Sequence, residues 1–504
     1  MRSLSLVVVV LVAACGGSGS HGQSVCDNVV PPPAQCMTQC DPAPGAPSTC
    51  PGGYHCTPDG LCDAFCSQGG NECGDGYRCT PDGNCVGNDE CIGLECQIVD
   101  CAKQGMPATT ISGTVFAPNG TLPLYGIDVY VPNTPLGPPV AGAICDRCGT
   151  TLPGFPLSPT RTDETGHFTL QNVPAGTNVP VVIQSGKWRR TITIPTVNKC
   201  TDNALAAADT HLPKNKAEGD IPKIAITTGS ADALECLIRK LGVDASEITS
   251  GSGTGQVHLY SGNGVDKIQG GGNLADAQTL WGSVNTLKPY DIVILSCEGS
   301  QNPDTKSQTD LDAMKAYADL GGRVFASHWH NIWIEGSTQD QNMRQKPAVW
   351  AATGPGTGVA TWNNASTTFN EDDTIDEVSN PKGMSFATWM LNVGGSTTRD
   401  AIPVTEGKQT ATGIVANRAE RWVYWKSGND EFPQNFQFTT PLEAPADQRC
   451  GKVVFSDMHV ASGSSSPNGG TFPNSCASSG LTPQEKALAF MFFDIASCVQ
   501  PPIF

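Results

Sequence analysis

Charge is scarce in this chain. Asp, Glu, Lys and Arg make up 15% of 504 residues, and the cations are outnumbered, 30 against 48, for a formal charge of −18. Such a chain has no basic face to lay on phosphate, which excludes a nucleic-acid binder, and no polybasic grip on anionic lipid. Beyond the first dozen residues no apolar run reaches the roughly 20 residues needed to cross a bilayer as a helix. What is abundant is Gly (56), Pro (38) and Cys (22). The first two mark a turn-rich, β-rich protein and not a bundle or coiled coil. The cysteines are too many for a reducing cytosol and point to an oxidising compartment. At roughly 100–200 residues per domain, the length predicts about three domains.

Residues 1–14 carry one positive charge, the apolar stretch Leu4 to Val12 and the small pair Ala13-Ala14, the pattern of an export signal. Residues 15–25 begin Cys15-Gly-Gly-Ser-Gly-Ser and read as a flexible tether. Val12-Ala13-Ala14-Cys15 resembles the lipobox of bacterial lipoproteins. The resemblance implies that Cys15 is acylated and that the lipid bilayer is a partner. Gly16 at the next position implies sorting to the outer membrane of a Gram-negative cell envelope. The alternative is an ordinary cut near Ala14, with Cys15 entering a disulfide.

Thirteen cysteines lie between Cys26 and Cys101. Two segments repeat 23 residues apart, Cys50 to Cys62 and Cys73 to Cys85, each containing Thr-Pro-Asp-Gly. Pro presets φ and Gly accepts φ > 0, so this tetrapeptide is a turn. Large aliphatic side chains are few, so disulfides must hold residues 26–101 together. The pattern is loosely similar to the EGF-like repeats of extracellular proteins, which implies a stalk or a protein-binding module.

Residues 109–199 alternate apolar and polar with period two in Thr110–Phe116, Ile127–Val131, His167–Leu170, Val179–Ile183 and Lys187–Ile194. Such short strands with Gly/Pro punctuation predict an antiparallel β-sandwich. Ser112-Gly-Thr-Val, Leu124-Tyr-Gly-Ile-Asp-Val and Thr162 to Gly176 resemble the carboxypeptidase regulatory-like domain, a transthyretin-like fold. That resemblance implies a non-catalytic module whose wider fold group includes carbohydrate binders. Cys145-Asp-Arg-Cys148 is expected to form a structural loop disulfide. In Lys187-Trp-Arg-Arg190, alternation puts Trp188 in the core and leaves the charges solvated.

Residues 221–500 alternate apolar strands and amphipathic helices. The strands are Ile221–Thr227, Val257–Tyr260, Tyr290–Ser296, Arg323–Ser327 and Lys452–Ser456; the helices are 231–242, 275–284, 311–320 and 483–497. This predicts an α/β domain with a mostly parallel, flavodoxin-like sheet. Residues 340–450 form an elaboration with a helix at Met384–Asn392 and strands at Trp422–Trp425 and Phe436–Thr439. Asp291-Ile-Val-Ile-Leu and Gly321-Gly-Arg-Val-Phe-Ala-Ser-His328 resemble the class I glutamine amidotransferase-like fold, nearest its degenerate branch of trehalose-utilisation-type proteins. The elbow that carries the catalytic Cys in active members reads Ala326-Ser-His-Trp-His330 here, so amidotransferase chemistry is not expected.

Ligands of open parallel sheets bind outside the carboxyl ends of the strands. Cys297, Glu298, Ser327, His328, Asp457 and His459 follow such ends and are the candidate catalytic residues. His328 with His330, and Asp457 with His459, share a face if the chain stays extended, and these four are the candidate metal ligands. The bland alternative is that these groups satisfy one another and the backbone. No cofactor is required by the sequence, although Zn²⁺ would suit this cluster. Glu371, Asp372, Asp373, Asp376 and Glu377 read as a solvated acidic loop, with Ca²⁺ the sharper alternative. Trp329, Trp333, Trp350 and Trp362 read as packing or as a sugar-stacking surface. With Cys15 acylated, 21 cysteines remain. The odd one is either in the N-terminal module, with the six after the sandwich closing on themselves, or is Cys297. The expected function is that of a surface-anchored lipoprotein binding a carbohydrate or protein ligand, similar to large lipoproteins of social or predatory Gram-negative (myxobacterial-type) bacteria. The alternatives are a hydrolase with a Cys/His or metal site at the strand ends, and a purely structural envelope protein.

Overall fold

The computed structural model describes residues 26, 34–40, 50, 55–57, 59–63, 66, 77–80, 85–87, 90–148, 152–337, 350–460 and 464–499. The export signal, Cys15 and the tether lie outside the described residues, as does Cys73 of the second repeat. Contacts divide the chain into two units: residues 1–93 with 133–137 and 151–155, and residues 94–132, 138–150 and 156–504. Among the described residues no helix is long and apolar enough to cross a membrane.

In the first unit the two repeats form the same small hairpin. His55–Cys56 pairs antiparallel with Cys62–Asp63, and Tyr77–Cys79 with Cys85–Gly87, placing Cys56 opposite Cys62 and Cys79 opposite Cys85. The bonds Cys26–Cys36, Cys40–Cys56, Cys50–Cys62 and Cys66–Cys79 run to neighbouring segments instead of across the rungs. They supply the cross-links that so few large apolar side chains require.

In the second unit, β1 (Thr110–Thr114), β2 (Asp128–Pro132), β3 (Pro156–Arg161), β4 (His167–Gln171), β5 (Gly176–Ser185), β6 (Trp188–Val197) and β7 (Asp202–Ala204) form two sheets, ordered β6-β5-β2-β3 and β7-β1-β4. Ile111, Val129, Val131, Phe168, Leu170, Val181 and Ile183 fill one core between them. The pairing is antiparallel except that β7 runs parallel to β1. The proline-bearing β3 is paired on one side only, where a missing N–H is tolerated.

The remaining chain builds a ten-stranded sheet. Its elements are β8 (Ile224–Thr227), α1 (Leu234–Lys240), β9 (Ile248–Ser250), β10 (Val257–Tyr260), β11 (Ile292–Leu295), α2 (Gln308–Asp319), β12 (Arg323–Ser327), β13 (Ala360–Phe369), β14 (Asp372–Ile375), α3 (Gly383–Asn392), β15 (Ala401–Pro403), β16 (Gly407–Ile414), β17 (Glu420–Ser427), β18 (Asp430–Thr440), β19 (Gly451–Ser456) and α4 (Pro483–Ala496). The sheet order is β9-β10-β8-β11-β12-β19-β18-β17-β14-β15, with β13 and β16 forming a separate ribbon. The first six strands are parallel. β8, β11, β12 and β19 are buried along their whole length, as continuous apolar runs covered on both faces should be. Beyond β19 every pairing is antiparallel, so the parallel half expected from the sequence is joined to an antiparallel half and the sheet as a whole is mixed. The added strands come from the elaboration: β17 and β18 form a direct hairpin, while the neighbours β14 and β15 are joined through α3.

Helix α4 joins the layers. A Thr482/Glu485 capping box and Pro483 start it. Its run Ala-Leu-Ala-Phe-Met-Phe-Phe is apolar all round, the mark of a helix buried on every side. Phe490 packs on Tyr125, Phe386, Trp389 and Trp422, while Phe492 and Phe493 pack on Trp188 of the sandwich. Trp188 is core as expected, but its charged neighbours are not solvated. Lys187 pairs with Asp291, Arg189 with Asp220 at 2.7 Å, and Arg190 donates to the His211 carbonyl at 3.2 Å. They bind the sandwich edge to the start of the α/β layer, where their charge finds partners.

The acidic stretch 371–377 is also not a solvated loop. Asp372–Ile375 is a strand, Asp373 is fully buried, and Asp376 accepts from Arg421 at 2.8 Å. The cysteines after the sandwich do not close on themselves, and Cys145 and Cys148 do not pair with each other. The bonds are Cys101–Cys200, Cys145–Cys450, Cys148–Cys498 and Cys236–Cys476, leaving Cys297 as the free cysteine among the described residues.

Removing a native disulfide that closes so long a loop costs about 2–5 kcal/mol. The double variant Cys148→Ala/Cys498→Ala is therefore expected to melt several degrees lower in non-reducing calorimetry. An unchanged midpoint would show that this link carries no stability.

Candidate functional site

Four adjacent parallel strands deliver their carboxyl ends to one place. β8 leads to Asp232, β11 to Cys297 and Glu298, β12 to His328, and β19 to Asp457 and His459. Close backbone approach is built in at Gly229, where a Cβ would lie 2.2 Å from the Cys297 carbonyl oxygen.

The strand β12 stops at Ser327 and the chain turns into a 3-10 helix, His328–Asn331. His328 takes a left-handed backbone, φ +43°, which for a residue with a Cβ costs about 1–3 kcal/mol. Because the chain is not extended here, His328 and His330 do not share a face. His330 places Nε2 2.8 Å from the Ser296 carbonyl, and its Nδ1 accepts from the Trp333 indole at 2.9 Å. Both nitrogens are thereby occupied, and burial pushes its pKa down to about 4.

His328 instead meets Cys297 and His459. Its Nδ1 lies 3.5 Å from Cys297 Sγ and 3.2 Å from His459 Nε2, and the three donor atoms are within 4.8 Å of one another. All three side chains are buried. Burial pushes His328 well below the usual imidazole range and His459 down to about 3, so both are neutral. Burial also pushes the Cys297 thiol up to about 12. A protonated, enclosed thiol is no nucleophile.

The other expected residues have different work. Asp457 accepts from the Thr410 N–H and hydroxyl and from the Ala411 N–H. Glu298 is a carboxylate held by Lys306 at 2.7 Å and Asn302 at 2.9 Å. Ser327 donates its hydroxyl to Asp232 at 2.6 Å. Of the four tryptophans, Trp333 packs on Trp281, Trp350 on Phe438, and Trp362 on Phe436 and Phe455. Trp329 alone of these lines a cavity.

That cavity, about 450 Å³, is lined by Asp232, His328, Trp329, Glu406, Lys408, His459 and serines 230 and 464–466, among others. Cys297 is not part of its wall. Asp232 is not among the sequence candidates, although it follows β8 by the same strand-end logic, because the sequence pattern places it in the following helix. Its Oδ2 accepts from Ser327, and its Oδ1 from the Val460 N–H at 2.9 Å. It thus ties the residue before His328 to the residue after His459. Burial raises its pKa to about 7. Lys408 comes from the ribbon, and no strand-end signal marks it.

No protein-family model and no curated protein matches the chain. Among solved structures, a cohesin–X-dockerin complex from Acetivibrio cellulolyticus aligns at 21% identity, covering 27% of this chain and 85% of that one, with a TM-score of 0.15. A second mutant of that complex aligns at 18%, covering 29% and 79%, with a TM-score of 0.14. A ThuA-like protein from Bacteroides uniformis aligns at 10% identity, covering 54% of this chain and 90% of that one, with a TM-score of 0.27. Likenesses this low carry no argument about function.

The enclosed Cys297 predicts slow chemistry. In the native protein, iodoacetamide is expected to leave it unmodified over hours, with alkylation appearing in denaturant without reductant. Rapid native labelling, read by peptide mass spectrometry, would restore the thiol-nucleophile reading.

Proposed function

We propose that the chain is an exported, lipid-anchored envelope protein that binds a small polyhydroxylated ligand, of the carbohydrate class, at the strand ends of its α/β layer. The cavity beside Trp329 carries this reading. It offers one aromatic face for an apolar sugar face, and carboxylates, an ammonium and serine hydroxyls for the hydroxyl groups. A cavity of this volume suits a small ligand better than a protein surface. The anchor rests on the residues around Cys15.

Screening the full chain against a glycan array, then by calorimetry, tests the ligand. Trp329→Ala is expected to weaken binding about tenfold, equivalent to about 1.4 kcal/mol, and Lys408→Ala to weaken it as well. Binding that ignores both changes, or no glycan binding at all, would sink the assignment. Cys15→Ser is expected to release the protein from membranes into the soluble fraction; persistent tight retention would remove the anchor.

A further inference from the structure

We infer that Cys297, His328 and His459 form a site for one divalent transition ion of the zinc class, with an open coordination position on the cavity side. The inference stands on the geometry of these three side chains and does not depend on the nature of the cavity's ligand.

The cluster has the size of a metal site. Bonds of about 2.0–2.1 Å to imidazole and about 2.3 Å to thiolate place tetrahedral donors about 3.3–3.6 Å apart. Sγ to Nδ1 of His328 is 3.5 Å, and Nδ1 of His328 to Nε2 of His459 is 3.2 Å. Two of the three edges therefore fit an ion with almost no movement.

The three groups also do not satisfy one another. A neutral imidazole has one N–H and one acceptor nitrogen. Two neighbours crowd Nδ1 of His328, while its buried Nε2 has no partner. In either tautomer Nε2 is left unmet, at a cost of about 1–3 kcal/mol, while one acceptor or one N–H at Nδ1 cannot serve both of its neighbours. The left-handed backbone of His328 adds to that cost. A residue held in place against two penalties marks a constraint other than folding. An ion on Nδ1 would supply one: it replaces the crowded contacts there by bonds and fixes the tautomer, although the Nε2–H keeps no protein partner.

Donor chemistry selects the ion. One thiolate with two imidazoles suits Zn²⁺ or copper and not Ca²⁺ or Mg²⁺, which take oxygen donors. Binding breaks the S–H bond of Cys297, forms a metal–sulfur bond and releases the proton to solvent, with no change of oxidation state. The sulfur is prepared for it. The backbone N–H groups of Gly299, at 3.4 Å, and Trp329 point at Sγ, donors that stabilise a thiolate. Where the other described cysteines are in disulfides, Cys297 alone keeps a thiol for a ligand bond. Three protein ligands with a vacant fourth position is the arrangement of catalytic rather than structural zinc. His328 and His459 line the cavity and Cys297 lies behind them, so the vacant position opens toward it. Asp232 is the positioning residue, through Ser327 and Val460.

The test uses the full chain with its disulfides intact. Metal-free protein is titrated with Co²⁺ and followed by absorption, then displaced with Zn²⁺ and counted by plasma mass spectrometry. One equivalent of metal and a thiolate-to-cobalt charge-transfer band are expected. Cys297→Ser is expected to abolish the band, and His459→Gln to weaken affinity more than about 100-fold, beyond the loss from an outer-shell change. Folded wild-type protein that takes up neither ion at micromolar concentration overturns the inference. So does a wild-type complex without the band, a readout that needs no variant to fold. Cobalt binding that survives Cys297→Ser with its band intact does the same. Failure of glycan binding leaves these readouts untouched.

Discussion

The second unit depends on the burial of helix α4 on every side. Its aromatic run has no solvent face, so sandwich, sheet and elaboration must all close on it at once. Phe490 and Phe492–Phe493 take up the apolar side of that demand. The polar groups at its ends take up the rest. Gln484 donates to the His459 carbonyl at 2.8 Å, Glu485 accepts from Lys240 of α1 at 2.7 Å, and Asp494 accepts from Lys382 and Lys452. Those two ammonium groups hold the Asp494 carboxyl well below the usual range. The helix that organises the core therefore also holds the backbone beside one of the site histidines.

The site has the same logic on a smaller scale. Parallel strands leave their last residues in a crowded, dry place, where each polar group needs a partner. His330 and Asp457 have partners on both of their polar side-chain atoms, and Glu298 is held by Lys306 and Asn302; they are structural for that reason. His328, whose Nε2 has no partner, sits against the free thiol of Cys297.

Much of the architecture was legible because it is local. Apolar runs such as Ile292–Leu295 announce buried strands, and the 23-residue cysteine repeat announces matched hairpins. The convergence of Cys297, His328 and His459 followed from strand-end logic. What was hidden depends on partners far along the chain. Nothing near Cys145 or Cys148 points to Cys450 or Cys498, and nothing near Arg189 points to Asp220. The extension of the sheet by antiparallel strands was hidden inside an elaboration read as one helix and two strands. The grouping of His330 with His328 failed on a single dihedral, because the period-two argument holds only while the backbone is extended.

The disulfide connectivity has a consequence for how the molecule is made. Cys148 must wait for Cys498, 350 residues later, and Cys145 for Cys450, 305 later. Throughout that interval Cys145 and Cys148 lie three positions apart, each the other's nearest thiol. Sequential oxidation during synthesis would join the wrong pair. Correct maturation therefore favours late oxidation or a shuffling catalyst that reopens early bonds, and yield in a host without one should be limited by pairing rather than by solubility.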